Sequence, residues 1–184
     1  MSRRPFGALA VTALVALAAT GCSTYAAARY SASAETVSAL RAYRPMTVAV
    51  GPFTAARAGE AEITCRAVGP IKTPDGESFE EFVRRAFIAE LMMAELYAVA
   101  APFTLTGHIQ RLDFTSGITD AAWDLALMLK SSNGKSLVAT ERYAFKAGDG
   151  AEAGCLNAAQ ALMPAIQNVV GKAIRDPAFS DLLK

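Results

Sequence analysis

The sequence predicts an α+β domain in which two long helices pack on one face of a mostly antiparallel sheet of about five strands. Two stretches repeat apolar residues at helical spacing, and five shorter stretches alternate or are rich in β-branched residues. Their order along the chain is two strands, a helix, three strands and a helix. That order is typical of helices that cover one face of an antiparallel sheet.

The N-terminus resembles a bacterial export signal that ends in a lipidation site. Arginines near the start precede an apolar run over residues 6–19, which is too short to span a bilayer. Ala19-Thr20-Gly21-Cys22 then resembles a lipobox, at which a bacterial lipoprotein signal peptidase cuts before a cysteine that is acylated. The resemblance implies a signal peptide over residues 1–21 and a lipid on Cys22. The alternative is ordinary cleavage within Ala26-Ala27-Ala28.

The mature chain is long enough for one domain with a buried core. Removal of Arg3 and Arg4 leaves 16 basic residues against 17 acidic ones, a net charge of −1. This balance gives no electrostatic reason to expect nucleic acid as a partner. Residues 22–45 are predicted to be a lipidated tether, because the first part is rich in Ala and Ser without apolar periodicity. A single α+β domain is predicted over residues 46–184.

Two strands open the predicted domain. Residues 46–50 alternate and are rich in β-branched side chains, and Gly51-Pro52 is expected to end this strand. Residues 62–66 predict a second, shorter strand. Each strand runs into a Val-Gly-Pro segment followed by an apolar residue, and we interpret both segments as strand exits with the same turn chemistry.

The first long helix is predicted to begin after Ser78 and to run to about Tyr97. Ser78 and Glu81 have the spacing of a capping box. Glu90 falls inside the apolar sector of this helix, where an acid is either a buried carboxylate with a hydrogen-bonding partner or a sign that this face is partly open. A structural role for Glu90 is favoured over a catalytic one, since no second acid or histidine accompanies it in sequence.

A long strand and a hairpin follow. Residues 102–114 predict a strand whose inward parity slips, which indicates a bulge near Gln110-Arg111. A three-residue loop over 132–134 predicts a hairpin that pairs Leu129 with Leu137. The last helix is expected from about residue 155 to residue 175, through Pro164. Three apolar residues after it, Phe179, Leu182 and Leu183, are expected to anchor the C-terminus.

Three cysteines permit one disulfide if Cys22 is lipidated. Cys65 and Cys155 then form an even pair in an oxidising compartment, where disulfides persist. The alternative is two buried free thiols. A metal site is not expected, because these two cysteines and the single His108 do not form a ligand cluster of the usual spacing.

Four segments of the chain carry a resemblance to a known group of proteins. They are Val50-Gly51-Pro52-Phe53-Thr54-Ala55, Thr64-Cys65-Arg66-Ala67-Val68-Gly69-Pro70-Ile71, Ser131-Ser132-Asn133-Gly134 and residues 155–164. In these segments the chain resembles a group of small proteobacterial envelope lipoproteins. At the level of the fold, it is also similar to lipoproteins related to the amino-terminal domain of the Tol translocation protein and to transport-auxiliary lipoproteins. The resemblance implies a lipid-anchored envelope protein, and Ser23 directly after the cysteine implies the periplasmic face of the outer membrane.

We find no catalytic motif in the sequence, and we expect a non-catalytic protein without a cofactor. The favoured hypothesis is an accessory or docking module that binds the membrane through the lipid on Cys22 and binds a further envelope protein. The alternative is a lipid-handling or transport-auxiliary module. That alternative requires an apolar cavity between sheet and helices, which Glu90 and Met92-Met93 would line.

Overall fold

The computed structural model describes residues 24–184, which form seven strands, three α-helices and a C-terminal 3-10 helix. The predicted α+β class is confirmed. The signal peptide and Cys22 lie outside the described residues. The elements are β1 (Tyr25–Ala26), α1 (Ala34–Arg41), β2 (Val48–Ala55), β3 (Glu62–Cys65), β4 (Gly69–Lys72), α2 (Phe79–Met93), β5 (Phe103–Ser116), β6 (Ala121–Ser131), β7 (Ser136–Ala144), α3 (Ala151–Arg175) and the 3-10 helix (Pro177–Leu183).

The strands form two sheets where the sequence predicted one sheet of about five strands. The larger sheet has the order β2-β5-β6-β7, with β2 parallel to β5 and the other pairs antiparallel. The smaller sheet has the order β1-β4-β3. The extra strand β4 coincides with a segment that we interpreted as a strand exit. Gly69 lies opposite Cys65 and Ile71 opposite Ile63, so this segment turns back and pairs with β3.

Helix α3 lies between the two sheets. It packs on β6 and β7 of the larger sheet and also contacts β1 and β4 of the smaller one. Helix α2 packs on the same face of the larger sheet, against β2. The Cys65–Cys155 disulfide, predicted from the cysteine count, joins the end of β3 to α3. Both cysteines are buried. The covalent link therefore ties the smaller sheet to the helix layer.

The predicted bulge and hairpin are confirmed. The register between β5 and β6 shifts between Ile109 and Arg111. In the hairpin Leu129 lies opposite Leu137, and the loop glycine Gly134 has a φ of +87°. Glycine adopts this left-handed conformation without the steric cost that a side chain would bring. The turn residues therefore set the register of the β6–β7 pair.

Strand β2 does not end at Gly51-Pro52, as the sequence predicted, but continues to Ala55. The register against β5 shifts between Val50 and Phe53, so the proline lies within an irregularity of an edge strand. Proline is tolerated there because no neighbouring strand needs its missing N–H.

Helix α2 ends at Met93 and not near Tyr97. Ala94 caps the helix and Glu95 has a φ of +62°, in the left-handed region. The N–H of Leu96 then donates to the carbonyl of Leu91 at 2.9 Å, as in a Schellman ending. Apolar residues continue past Met93, which is why the periodicity extended the predicted helix too far.

The segment predicted as a tether belongs to the domain from residue 24 onward. β1 pairs with β4, and α1 begins after Ser33, whose side chain accepts a hydrogen bond from the Thr36 N–H. Tyr25 and Leu40 are buried in the core. A two-residue strand and an eight-residue helix gain their stability from contacts made elsewhere in the chain, so local periodicity does not reveal them.

No helix within residues 24–184 has the length and apolar character needed to cross a membrane.

Reduction of the disulfide should destabilise the domain by about 4 kcal/mol, because it frees a loop of 90 residues in the unfolded chain. Urea unfolding with and without a reductant measures the difference. The C65A/C155A double variant should unfold at the same urea concentration with and without the reductant. An unchanged wild-type transition midpoint under reduction would contradict the predicted contribution.

Candidate functional site

A buried carboxylate fixes the N-terminal segment to α2. Glu90 is fully buried. Its Oε1 accepts a hydrogen bond from the Tyr30 hydroxyl at 2.6 Å and another from the Ser33 N–H at 2.8 Å. Its Oε2 has no hydrogen-bond partner among the described residues. The carboxylate is therefore bonded on one oxygen only, and both of its partners come from the segment before α1.

Burial raises the pKa of Glu90 above its ordinary value, because the charged form loses hydration. The hydrogen bonds from Ser33 and Tyr30 and the charge of Arg175 lower the pKa, but by less than burial raises it. Burial and the hydrogen bond to Glu90 also raise the pKa of Tyr30 above its ordinary value. Tyr30 therefore stays a neutral hydrogen-bond donor.

Packed side chains fill the space between the helices and the larger sheet. The aromatic ring of Phe53 lies 6.0 Å from that of Phe87, and Trp123 donates a hydrogen bond to the Ala158 carbonyl at 2.8 Å. Met92 and Met93, which a lipid cavity would require as lining residues, are instead 60% and 59% exposed. These packed side chains leave no room at those positions for a preformed lipid cavity.

The other face of the larger sheet is open, since both helices pack on the opposite face. The row that crosses its middle consists of Thr54, His108, Met128 and Val138, which lie opposite one another on successive strands. These side chains are partly or largely exposed. Two shallow concavities lie on this open face. One of about 320 Å³ is lined in part by Met128, and one of about 440 Å³ is lined in part by Ala126.

Charged side chains flank the middle row of the open face. On one side, Arg111 lies opposite Ala126 and is exposed. Farther along, Arg142 pairs with Asp124 at 2.6 Å and with Asp120 at 2.5 Å. On the other side, Lys130 lies on β6. The row of Thr54, His108, Met128 and Val138 itself contains no Asp, Glu, Lys or Arg side chain.

Cationic side chains from the helices bind carbonyls on both edge strands of the larger sheet. Arg84 on α2 donates to the Gly51 carbonyl of β2 at 3.0 Å. Lys172 on α3 donates to the Thr140 carbonyl of β7 at 3.3 Å and pairs with Glu141 at 2.5 Å. An incoming strand would have to displace these contacts, so both edges are guarded against strand addition.

His108 lies in the row on the open face and is half-buried there. Its Nδ1 is 2.8 Å from the Thr54 hydroxyl oxygen. Among residues 24–184, no acidic side chain is hydrogen-bonded to it. Within residues 24–184, His, Cys, Asp and Glu side chains do not assemble in groups of three or more that could hold a metal ion.

Sequence reasoning found Glu90 but missed the groups that bind it. Tyr30 and Ser33 are 60 and 57 residues away in the chain, and no local pattern links them to α2. Arg84 and Lys172 were missed for the same reason. One available signal was that a fully buried acid requires donors, and the segment before α1 supplies tyrosine and serine side chains and free N–H groups.

The geometry described so far defines an α+β domain with a buried core, one disulfide and an open sheet face. No protein-family model and no curated protein matches the chain. Among solved structures, it is similar to protein XCC0632 from Xanthomonas campestris, described as belonging to the family model DUF330. The TM-score is 0.56 at 14% identity, over 86% of this chain and 99% of that chain. At this identity the likeness shows only that the chain shares its fold with this proteobacterial protein.

A PelC dodecamer from Paraburkholderia phytofirmans is also similar, with a TM-score of 0.36 at 15% identity. The match covers 68% of this chain and 84% of that chain.

Replacement of Glu90 by glutamine should remove a pH dependence of stability. The raised pKa means that the folded state holds a proton more tightly than the unfolded chain does. The contribution of Glu90 to stability should therefore be fully present below the ordinary carboxyl pKa of about 4.3 and should be lost as the pH rises through the folded pKa. Urea unfolding of Glu90→Gln and the wild type across this range measures the difference between them.

An exposed carboxylate provides the control for that measurement. Glu152→Gln, at the exposed start of α3, should follow the wild-type pH dependence. If the stability difference between Glu90→Gln and the wild type is the same at every pH, the raised pKa of Glu90 is wrong.

Proposed function

We propose that this chain is a non-catalytic lipoprotein of the bacterial envelope. In this proposal the lipid on Cys22 anchors it in the outer membrane on the periplasmic side, and the open face of the larger sheet binds a second envelope protein. The uncovered sheet face is the observation that carries the docking role. The anchor is supported by the lipobox resemblance and by the disulfide, which suits an oxidising compartment.

The composition of the open face suits a protein partner. Its middle row contains Met128 and Val138, and Val138 is 48% exposed. Protein interfaces are depleted of charge at their centre, are enriched in methionine and have a polar rim. The pairs that Arg142 makes with Asp124 and Asp120 provide such a rim toward one end.

The guarded edges favour face-on docking over strand addition. A partner strand at β7 would have to displace Lys172 from the Thr140 carbonyl, and one at β2 would meet Arg84 and Pro52. A partner on the face displaces neither contact. We therefore propose that the partner lies across the strands and does not extend the sheet.

The lipid-handling alternative has weaker support. It needs a cavity lined by Glu90, Met92 and Met93, but Glu90 binds Tyr30 and Ser33, and both methionines point to solvent. Movement of α2 away from the sheet would have to expose the buried aromatic rings of Phe53 and Phe87. The docking function requires no such movement.

The Cys22→Ala variant should remain as unprocessed precursor and lose labelling by radioactive palmitate, because the acylated thiol is absent. Labelling and membrane fractionation in a proteobacterial host measure this. The C65A/C155A variant should still be labelled. Normal processing of Cys22→Ala would show that the anchor is misassigned and would favour cleavage further along the chain.

A photo-crosslinking amino acid at Val138 should capture one discrete partner in intact cells, because its side chain lies in the middle of the open face. The same amino acid at Arg41 is the control. Arg41 is exposed on α1, and α1 packs against α2 and α3 on the opposite side of the sheet. Immunoblots of the two variants, with and without irradiation, make the comparison.

A second substitution tests whether the captured protein uses the face itself. Met128→Lys, combined with the crosslinker at Val138, should abolish the captured band because it places a charge in the middle of the face. A band of equal strength from Arg41, or one that is unaffected by Met128→Lys, would rule out this face as the docking surface.

A further inference from the structure

The chain enters the described fold at one end of the domain. We call this the entry end and define it by three loop regions, residues 66–68, 117–120 and 151–156. β1 runs parallel to β4 with Tyr25 beside Ile71, so the chain before Tyr25 lies on the side of Pro70. β4 in turn comes directly from the turn over residues 66–68. The N-terminal side of β1 therefore points toward that turn.

Contacts hold the other two regions beside the same turn. The Arg66 Nε donates to the Ser116 hydroxyl at 2.8 Å, and Ser116 is the last residue of β5 before the loop over residues 117–120. The disulfide holds the start of α3 against the end of β3, with a Cα–Cα distance of 5.9 Å between Cys65 and Cys155. The three regions therefore lie together at the entry end.

The entry end carries two exposed apolar side chains. Ile118 is 82% exposed in the β5–β6 loop, and Leu156 is 46% exposed in the first turns of α3. One exposed apolar residue is ordinary on a protein surface. These two, however, lie together at the end where the chain arrives from the proposed lipidated cysteine.

We propose that the entry end rests on the lipid bilayer, with Ile118 and Leu156 in contact with the lipid. This inference rests on the proposed anchor at Cys22. Cys22 precedes Tyr25 by three residues. Since an extended chain spans at most about 3.6 Å per residue, the anchor keeps the start of β1 within about 11 Å of the acylated cysteine. This short reach limits how far the entry end can move from the bilayer surface.

The charge of the entry end selects the kind of lipid surface. Within the three loop regions Asp120 and Glu152 are negative and Arg66 is positive, and Asp149 adds a negative charge beside the start of α3; all four are exposed. The acids therefore outnumber the cation. Attraction to anionic lipids is therefore not what holds this end. The fitting partner is a zwitterionic bilayer, contacted through apolar side chains and held by the protein's own anchor.

A tryptophan probe at each end of the domain tests the orientation. The mature chain from Cys22, exported with a non-lipoprotein signal, has one free thiol, because Cys65 and Cys155 form the disulfide. That thiol is coupled to maleimide-bearing lipid in dioleoylphosphatidylcholine vesicles, with or without bromine on the acyl chains. The coupling supplies an anchor at Cys22 whether or not the cell acylates this residue.

Ile118→Trp is compared with Val99→Trp, which is matched in exposure at 84%. Val99 lies beyond the opposite end, because the neighbouring Ala98 N–H donates to Val48 at the start of β2. The 14 residues of β5 separate the two ends by about 45 Å. The native Trp123 is fully buried and contributes the same background to both variants.

The emission of Ile118→Trp should shift to the blue when the protein is coupled to either kind of vesicle, and it should be weaker in brominated than in unbrominated vesicles. The emission of Val99→Trp should do neither. Leu156→Trp should behave like Ile118→Trp. It provides a second probe at the entry end in case Ile118→Trp fails to fold. Equal quenching at both ends, or quenching at neither, overturns the inference. Failure of the palmitate labelling of Cys22 would instead refute the proposed anchor, so the two failures are distinguishable.

Discussion

The packing of α3 between two sheets is the constraint on which the rest of the domain depends. A helix that contacts a sheet on each side needs small side chains where the layers approach closely. At Gly171 the close approach is to α1, because an added Cβ would lie 2.9 Å from the Thr36 hydroxyl oxygen. Many buried positions of α3 are alanine or glycine, which lets the neighbouring layers pack closely against the helix. The disulfide at Cys155 then holds the smaller sheet on the helix that both sheets share.

The buried carboxylate extends this arrangement to the N-terminal segment. Other polar contacts to the segment before α1 are the Arg29–Asp75 pair at 2.6 Å and the hydrogen bond from Gln167 to the Ser31 carbonyl at 2.6 Å. The hydrogen bonds of Glu90 to Tyr30 and Ser33 add directional contacts in an environment where an unpaired polar group is costly. The ionised carboxylate is nevertheless destabilised by burial, so the same residue that orders the segment also couples its stability to pH.

The sequence predicted those elements whose signals are local. The bulge beside Arg111, the loop ending at Gly134 and the capping serine of α2 depend on neighbouring residues, and all three are confirmed. The sequence did not predict the smaller sheet or the folding of residues 24–45 into the domain, because the residues that these segments contact are distant in the chain. The open face follows from the layer arrangement. The sequence alone could not show that this face is exposed, because its exposure depends on the helices packing on one side of the sheet only.

The cations at the sheet edges have a further consequence if the protein is anchored as proposed. Confinement to a membrane plane raises the effective concentration of identical domains. Under that crowding, any unpaired strand would be a template for fibrous polymerisation. Arg84 and Lys172 occupy backbone carbonyls on both edges of the larger sheet, so neighbouring copies can share a crowded leaflet without pairing through those two strands.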